Sequence, residues 1–237
     1  MNDYTALVTG ANKGIGRHIA GQLADAGVTV YVGARDAGRG ERAAAEIGEN
    51  ARPLVLDVTD ARSVAEAARQ VEKLDILVNN AGIGIDTGPL PEADLDAFRR
   101  IYETNVFGVV AVTNAFLPAL RRSPRPRIVN VSSGTGSLTW SIGPQRQFPE
   151  GGALAAYRSS KTALNALTIF YAQELAGEGF KVNALGPGLR KTDLNARAAS
   201  SGGDPGEAAA AAVRMALLDD DGPNGAFLSW DGTTVPW

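Results

Sequence analysis

Short apolar runs rich in β-branched residues alternate along the chain with longer stretches whose apolar residues recur at helical spacing. The short runs predict about seven strands, at 5–9, 28–32, 53–56, 76–78, 128–131, 181–185 and 226–229. The longer stretches predict helices at 15–26, 38–47, 61–73, 95–120, 155–175 and 206–217. Because strands and helices alternate, we predict an α/β fold in which βαβ crossovers build a doubly wound parallel sheet with helices on both faces.

No linker or change in composition divides the 237 residues, so we predict a single domain over residues 1–237. Two predicted loops, 134–154 and 189–205, are long. Loops of this length in a compact domain are usually functional or mobile. We therefore expect these two loops to select the substrate of any site that the fold carries.

Composition and charge narrow the classes of function. The chain is 44% hydrophobic and 21% charged, and its net charge is −3 without a basic stripe, so we do not expect it to bind nucleic acid. It has no cysteine and one histidine, which excludes disulfides, thiolate catalysis and clusters of Cys or His ligands. We therefore predict no metal site and interpret His18 as a surface or packing residue. The first strand begins close to Met1 and no run of about twenty apolar residues follows, so we expect a cytoplasmic protein that does not enter a membrane.

The stretch TGANKGIG, residues 9–16, joins the first predicted strand to the first predicted helix. Its Gly10, Gly14 and Gly16 allow positive φ and a close approach of the backbone to a ligand, and the start of a helix attracts an anion. A tight turn also needs glycines for steric reasons alone. Its position after the first strand of a doubly wound sheet favours a site for the pyrophosphate of a dinucleotide.

The end of the second strand, VGARD, bears on which dinucleotide binds. A cation there favours a ribose 2′-phosphate, whereas an acid hydrogen-bonds a 2′-hydroxyl. Ala34 occupies the expected ribose-reading position, Arg35 follows it, and Lys13 lies within the glycine turn. These two cations predict NADP(H), while Asp36, two residues after Ala34, leaves NAD(H) as the alternative.

Tyr157 precedes Lys161 by four residues in the predicted helix AAYRSSKTAL. Residues four apart are neighbours on one helical face, so the phenol and the ammonium can share a cleft. Bringing a tyrosine pKa from near 10 to about 7 requires roughly 4 kcal/mol. A cation some 5 Å away contributes on the order of 3 kcal/mol, so we predict that Lys161 lowers the pKa of Tyr157. The alternative is that Tyr157 only packs, which is how we interpret Tyr171.

Further motifs follow the glycine turn in order: NNAG at 79–82, TNVFG at 104–108, VNVSSGTG at 129–136, YRSSK at 157–161 and GPGLRKTD at 186–193. With them the chain resembles the short-chain dehydrogenase/reductase family from end to end, and within it most closely the NADPH-dependent carbonyl reductase branch. The resemblance implies a Rossmann-like fold and the reduction of a ketone or aldehyde to an alcohol.

The resemblance also implies roles for individual residues. Ser133 would hydrogen-bond the substrate carbonyl, Tyr157 would exchange the proton, Lys161 would hold the ribose and lower the tyrosine pKa, and Asn105 would position a water in the proton relay. Residues of the glycine turn, the ends of the second and third strands, the NNAG motif, the catalytic helix and the GPGLRKTD motif would bind the cofactor. These are Gly10, Asn12, Lys13, Gly14, Ile15, Gly16, Arg35, Asp57, Val58, Asn80, Ala81, Gly82, Tyr157, Lys161, Pro187, Gly188 and Thr192.

The chain departs from the family pattern in two places. The segment between Ser133 and Tyr157 is longer than is common there, and Gly186 replaces a common Asn. The longer segment either walls the substrate pocket, with Trp140 and Phe148 as apolar candidates, or is a surface excursion. It leaves a monomer and a homo-oligomer both open.

The nature of the substrate and the class of function also leave alternatives. Apolar residues of the two long loops favour a mostly hydrophobic carbonyl substrate; they are Leu138, Trp140, Leu189 and Leu194. An NAD-dependent alcohol dehydrogenase is the alternative enzyme. A non-catalytic NADP(H)-sensing protein is the alternative of another class, although it would not need Asn105, Ser133, Tyr157 and Lys161.

Overall fold

The computed structural model describes residues 4–148 and 154–237. Its strands are β1 (Thr5–Thr9), β2 (Thr29–Ala34), β3 (Ala51–Val55), β4 (Ile76–Asn79), β5 (Arg127–Val131), β6 (Lys181–Gly186) and β7 (Phe227–Ser229). They form one seven-stranded sheet of order β3-β2-β1-β4-β5-β6-β7, in which every neighbouring pair is parallel. The predicted doubly wound parallel sheet is confirmed; β1 has the predicted bounds, and the ends of the other strands shift by at most two residues.

The helices are α1 (Gly14–Asp25), α2 (Ala37–Ile47), α3 (Ala61–Arg69), α4 (Leu95–Tyr102), α5 (Gly108–Leu120), α6 (Ala155–Glu174), α7 (Ala196–Ala199) and α8 (Pro205–Ala216). Aspartates start four of them: the carboxylates of Asp36, Asp60, Asp94 and Asp204 accept backbone N–H groups in the first turns of α2, α3, α4 and α8. Over the described ranges, none of the helices combines the length and apolar character needed to cross a bilayer.

The sheet separates two apolar cores. Alternate residues of β1 point to opposite faces: Ala6 and Val8 pack in the core with α1, α2 and α8, while Leu7 packs in the core with α3, α5 and α6. Both faces of the central strands are therefore covered, which explains their nearly continuous apolar sequence.

The helix predicted over 95–120 is interrupted. Residues Glu103–Phe107 form a π-helical turn between α4 and α5, in which Gly108 N–H bonds to the carbonyl of Glu103, five residues back. A side chain at Gly108 would lie 3.0 Å from Val58 Cγ2, so the chain packs too closely there for any residue but glycine. The prediction of one regular helix was wrong at this point, because this close packing and the inward placement of fully buried Asn105 are tertiary features. Such turns occur frequently at functional sites.

A chain of buried amides and hydroxyls lies between the central strands and helices. Asn79 donates to Asn130 Oδ1 at 2.9 Å and to Thr113 Oγ1 at 3.1 Å, and Asn130 donates to Thr168 Oγ1 at 2.9 Å. These bonds connect α5, β4, β5 and α6. They hold together the elements that carry the motifs on 104–108, 129–136 and 157–161.

We expect Asn130→Ala to lower the free energy of unfolding by about 2–3 kcal/mol, because it leaves the buried amide of Asn79 short of an acceptor and removes a donor to Thr168. Urea unfolding followed by circular dichroism measures this. Asp96→Ala, which removes an exposed ion pair with Arg99, is the control and should change stability by less than about 0.5 kcal/mol. Equal losses in the two variants would contradict a stabilising role for the buried chain.

Candidate active site

The glycine turn lies against the end of β4. Gly10 and Gly14 have φ of +63° and +55°, which favours glycine at both positions. A Cβ on Gly10 would lie 3.0 Å from Ala81 Cα, and one on Gly16 would collide with the Asn80 amide. The turn is therefore a cradle that side chains would fill, and it leaves backbone open to a ligand.

The start of α1 has no side-chain cap. Lys13 occupies the capping position without accepting an N–H group, and the first turn holds no acid. The free N–H groups of that turn are suited to an anion such as a pyrophosphate. Ile15 packs against the core. His18 is exposed, which agrees with its interpretation as a surface or packing residue.

The NNAG motif is bonded to the glycine turn. Thr9 Oγ1 accepts the N–H groups of Asn80 and Ala81, both at 2.9 Å, and Asn80 Nδ2 donates to the Thr9 carbonyl at 2.8 Å. Gly82 follows, and a Cβ there would lie 3.6 Å from Lys161 Nζ. These contacts bring the glycine turn, the NNAG motif and α6 to one edge of the sheet.

Arg35 and Asp36 follow β2, and of the two only the acid makes a hydrogen bond within the part of the chain that the structure describes. Asp36 Oδ1 accepts Arg39 N–H at 2.8 Å as the cap of α2. Arg35 is exposed and makes no hydrogen bond or ion pair with the residues that the structure describes. Asp57 Oδ1 accepts the N–H and hydroxyl of Thr59, so only its second carboxylate oxygen remains open.

A cavity of about 290 Å³ opens between α1 and α2 beside the glycine turn. Its lining is mostly cationic and consists of Asn12, Lys13, Arg17, Arg39, Arg42, Ala43 and Glu46. The sequence analysis included Asn12 and Lys13 but missed Arg17, Arg39 and Arg42. Helical spacing in the sequence could have identified these arginines. Lys13 and Arg17 are four residues apart, and Arg39 and Arg42 are three apart.

Tyr157 and Lys161 lie on one face of α6, as predicted, with the Lys161 ammonium 5.7 Å from the centroid of the Tyr157 ring. The ammonium donates to the Val131 carbonyl at 2.8 Å. Burial lowers the pKa of Lys161 from 10.5 to about 8. Burial also raises the pKa of Tyr157, and a hydrogen bond with Ser133 opposes that rise. The direction is opposite to the prediction, because desolvation of the phenolate dominates the pKa of Tyr157.

Ser133 lies two residues after the end of β5 and faces the same edge. Its hydroxyl lies 2.9 Å from Thr135 Oγ1. The 3₁₀ turn Gly134–Gly136 packs on α6 so closely that a Cβ on Gly136 would lie 2.8–3.0 Å from Lys161 atoms. The turn therefore fixes Ser133 relative to α6.

The side-chain amide of Asn105 makes its hydrogen bonds to other groups of the protein. Its Oδ1 accepts Ile83 N–H at 2.9 Å, and its Nδ2 donates to the Ile83 carbonyl at 2.9 Å and to Ser160 Oγ at 3.0 Å. Both amide hydrogens are thereby used. The Asn105 side chain holds the loop after β4 against α6 and has no N–H left to give to a water.

The segment after β6 crosses in front of the glycine turn. A Cβ on Gly14 would lie 3.5 Å from Thr192 Cγ2, and Lys13 forms an exposed ion pair with Asp193 at 3.3 Å. Pro187 and Gly188 precede this crossing, so the structure brings the GPGLRKTD motif next to the glycine turn.

Arg190, which the sequence analysis missed, anchors that segment. It is 7% exposed, stacks on Trp230 at 4.1 Å, and donates to the Pro187 carbonyl and to Glu207 at 2.7 Å each. A buried guanidinium held in this way depends on residues distant in sequence, such as Glu207 and Trp230, which gave no local signal.

Comparisons with known proteins agree with this geometry. A family model described as short chain dehydrogenase matches residues 4–202, which confirms the family resemblance. A (−)-isopiperitenone reductase from Mentha piperita is 34% identical, with 95% of this chain and 96% of the relative covered. An NADPH-bound carbonyl reductase from chicken fatty liver superposes with a TM-score of 0.84 at 27% identity over 100% of both chains. A 3-ketoacyl-(acyl-carrier-protein) reductase from Brucella melitensis, complexed with NADH, gives 0.83 at 28% identity over 95% and 96%.

The lowered pKa of Lys161 predicts a pH-dependent stability. Between about pH 8 and 10.5 the unfolded chain holds this proton and the folded protein does not, so wild-type stability rises with pH. The Lys161→Met variant has no amine to titrate at this position, so its stability lacks this rise with pH. We expect the difference in unfolding free energy, variant minus wild type, to fall by about 2–3 kcal/mol over that range.

Urea unfolding at pH 7.5 and 10.5 measures this difference. Lys191→Met, at an exposed position, is the matched control and should show little change with pH relative to wild type. A variant-to-wild-type difference for Lys161→Met that stays constant with pH would contradict the assignment.

Proposed function

We propose that this chain, which belongs to the short chain dehydrogenase family, is an NADP(H)-dependent oxidoreductase that reduces a ketone or aldehyde to an alcohol. The observation that carries the proposal is the convergence of Ser133, Tyr157 and Lys161 at the edge of the sheet where the glycine turn opens. The ends of the strands of a doubly wound sheet are where such folds bind dinucleotides.

The proton chemistry favours reduction. Because burial raises the pKa of Tyr157, its phenol is protonated at neutral pH and suits a proton donor. Ser133 and Tyr157 both carry hydroxyl donors for the carbonyl oxygen, on which negative charge develops. A nicotinamide cofactor, when bound, supplies the hydride.

Lys161 has a second task in this proposal. With a pKa of about 8, its ammonium is charged at neutral pH, next to the Tyr157 ring. Its present acceptor is one backbone carbonyl, and an ammonium has three donors. The remaining donors are suited to hold ribose hydroxyls and to stabilise a phenolate after proton transfer.

The preference for NADP(H) is supported by the cations around the ribose end. Arg35 has no protein partner in the described chain, and Lys13, Arg17, Arg39 and Arg42 line the adjacent cavity. Guanidinium groups bind phosphate in bidentate fashion. Asp36, whose engaged oxygen caps α2, supports the NAD(H) alternative through its second oxygen only.

A non-catalytic sensor of NADP(H) is the alternative of another class. It would bind the nucleotide tightly and turn over no carbonyl compound. The meeting of the Ser133 and Tyr157 hydroxyls argues against it, because binding of the nucleotide alone needs neither hydroxyl.

We expect Tyr157→Phe to lower kcat by about 10²–10⁴-fold while NADPH binding is retained, because only the proton donor is removed. The loss of NADPH absorbance with a panel of ketones and aldehydes measures turnover, and nucleotide fluorescence measures binding. Tyr171→Phe is the control on the same helix; it loses one bond to Asn114 and should keep its rate within about twofold. Wild-type protein that binds NADPH but turns over nothing would favour the sensor.

We expect Arg35→Glu and Arg39→Glu each to weaken NADPH binding by about 10–100-fold, because a charge-assisted bond to the 2′-phosphate is lost and repulsion is added. NADH binding should change far less. Titrations with both nucleotides measure the ratio, and Arg69→Glu, on the last turn of α3, is the control. If the wild type binds NADH more tightly than NADPH, the proposed cofactor preference is wrong.

A further inference from the structure

Residues 137–148, here called the flanking segment, form an ordered addition between β5 and α6. Thr139 donates through its N–H at 3.1 Å and its hydroxyl at 2.8 Å to the Trp237 carbonyl. Trp140 N–H donates to Ser137 Oγ at 3.1 Å, and Gln147 N–H donates to the Trp140 carbonyl at 2.9 Å. These hydrogen bonds therefore hold the segment in place against Trp237, which follows β7.

The aromatic side chains of the flanking segment reach the residue next to Ser133. A Cβ on Gly134 would lie 2.9 Å from Trp140 Cζ3 and 3.6 Å from Phe148 Cζ. The two rings pack together with centroids 6.3 Å apart and an interplanar angle of 59°. An apolar aromatic surface thus begins one residue beyond the proposed carbonyl-binding hydroxyl.

The flanking segment also contacts the residue after Tyr157. The Arg158 guanidinium lies 5.9 Å from the Phe148 ring centroid and donates to Ser141 Oγ at 3.0 Å. The Phe148 ring is thereby in contact with the helix that carries Tyr157.

Gly84, Leu194 and Asn195 lie near Tyr157. A Cβ on Gly84 would lie 3.3 Å from Asn195 Nδ2, 3.4 Å from Leu194 Cγ and 3.5 Å from Tyr157 Cδ2. The gap between Gly84 and these residues therefore admits only a small group.

We propose that Trp140 and Phe148 form the binding surface for one bulky aromatic or alicyclic substituent of a ketone or aldehyde, and so determine which face of the carbonyl is presented. The proposal rests on the proposed function and names its substrate class. Large rigid rings bury much apolar area at low entropic cost. The same segment also carries the exposed apolar side chains Leu138 and Ile142. Of the two roles that the sequence left open for this segment, pocket wall and surface excursion, the contacts favour the wall.

The test uses two ketones with the full-length protein and NADPH: an aryl methyl ketone, which has one large and one small substituent, and acetone, which has two small ones. For Trp140→Ala we expect KM for the aryl ketone to rise about tenfold, because a large apolar contact is lost. The ratio of the two alcohol enantiomers formed from it should fall severalfold. Turnover of acetone should change by less than twofold.

Two further variants keep the result interpretable. Phe148→Ala should shift the enantiomer ratio in the same direction, and it decides the question if Trp140→Ala does not fold. Phe170→Ala, which removes an exposed ring from α6, is the matched control and should leave the ratio unchanged.

The outcomes separate this inference from the function on which it rests. An unchanged enantiomer ratio in both ring variants, or equal losses with the two ketones, overturns the inference and leaves the proposed function standing. A wild type that reduces no carbonyl compound overturns the proposed function itself.

Discussion

The buried ammonium of Lys161 is the constraint on which the site depends. A charged group in a desolvated position is unfavourable, which is why its pKa falls to about 8. It is held there by the carbonyl of Val131 at the end of β5, by Gly82 passing at close distance, and by the 3₁₀ turn that packs on the helix backbone at Gly136. Each of these contacts comes from a different segment. The same contacts place Ser133, Tyr157 and the loop after β4 around one point, so the unfavourable burial and the alignment of the proposed catalytic groups have a common cause.

The parallel sheet makes this convergence possible. Because all seven strands run in one direction, the segments that follow them leave at one edge, and residues far apart in sequence meet there. Close approach between those segments then requires missing side chains: Gly10 and Gly16 let the first turn contact the NNAG motif, and Gly108 lets the π-helical turn contact Val58. Asn105 adds a polar connection, since its amide bonds to both backbone groups of Ile83. The site therefore consists of segments in close backbone contact. The side chains of the proposed chemistry, Ser133, Tyr157 and Lys161, lie where these segments meet.

Most of the fold and of the candidate site could be predicted from local sequence. Alternating strand and helix patterns located the sheet, and the glycine and serine motifs identified the segments that meet at its edge. Several features were missed or predicted wrongly, among them the anchoring contacts of Arg190. The helix over 95–120 contains a π-helical turn, the arginines of the cavity come from two helices, and the pKa of Tyr157 moves up and not down. In each case the deciding quantity is burial or a contact between segments distant in the chain.

The sequence by itself determined the α/β class, the order of the strands along the chain, and the residues that stand where strands become helices. These follow from hydrophobic period, helix-capping aspartates and glycines at positive φ, all of which act over a few residues. Only the tertiary structure decided that Arg35 has no partner among the described residues, that Lys161 faces the Val131 carbonyl, and that Trp140 lies against Gly134. Those outcomes depend on desolvation and on which side chains meet across the sheet edge, quantities that exist only when the segments have packed together.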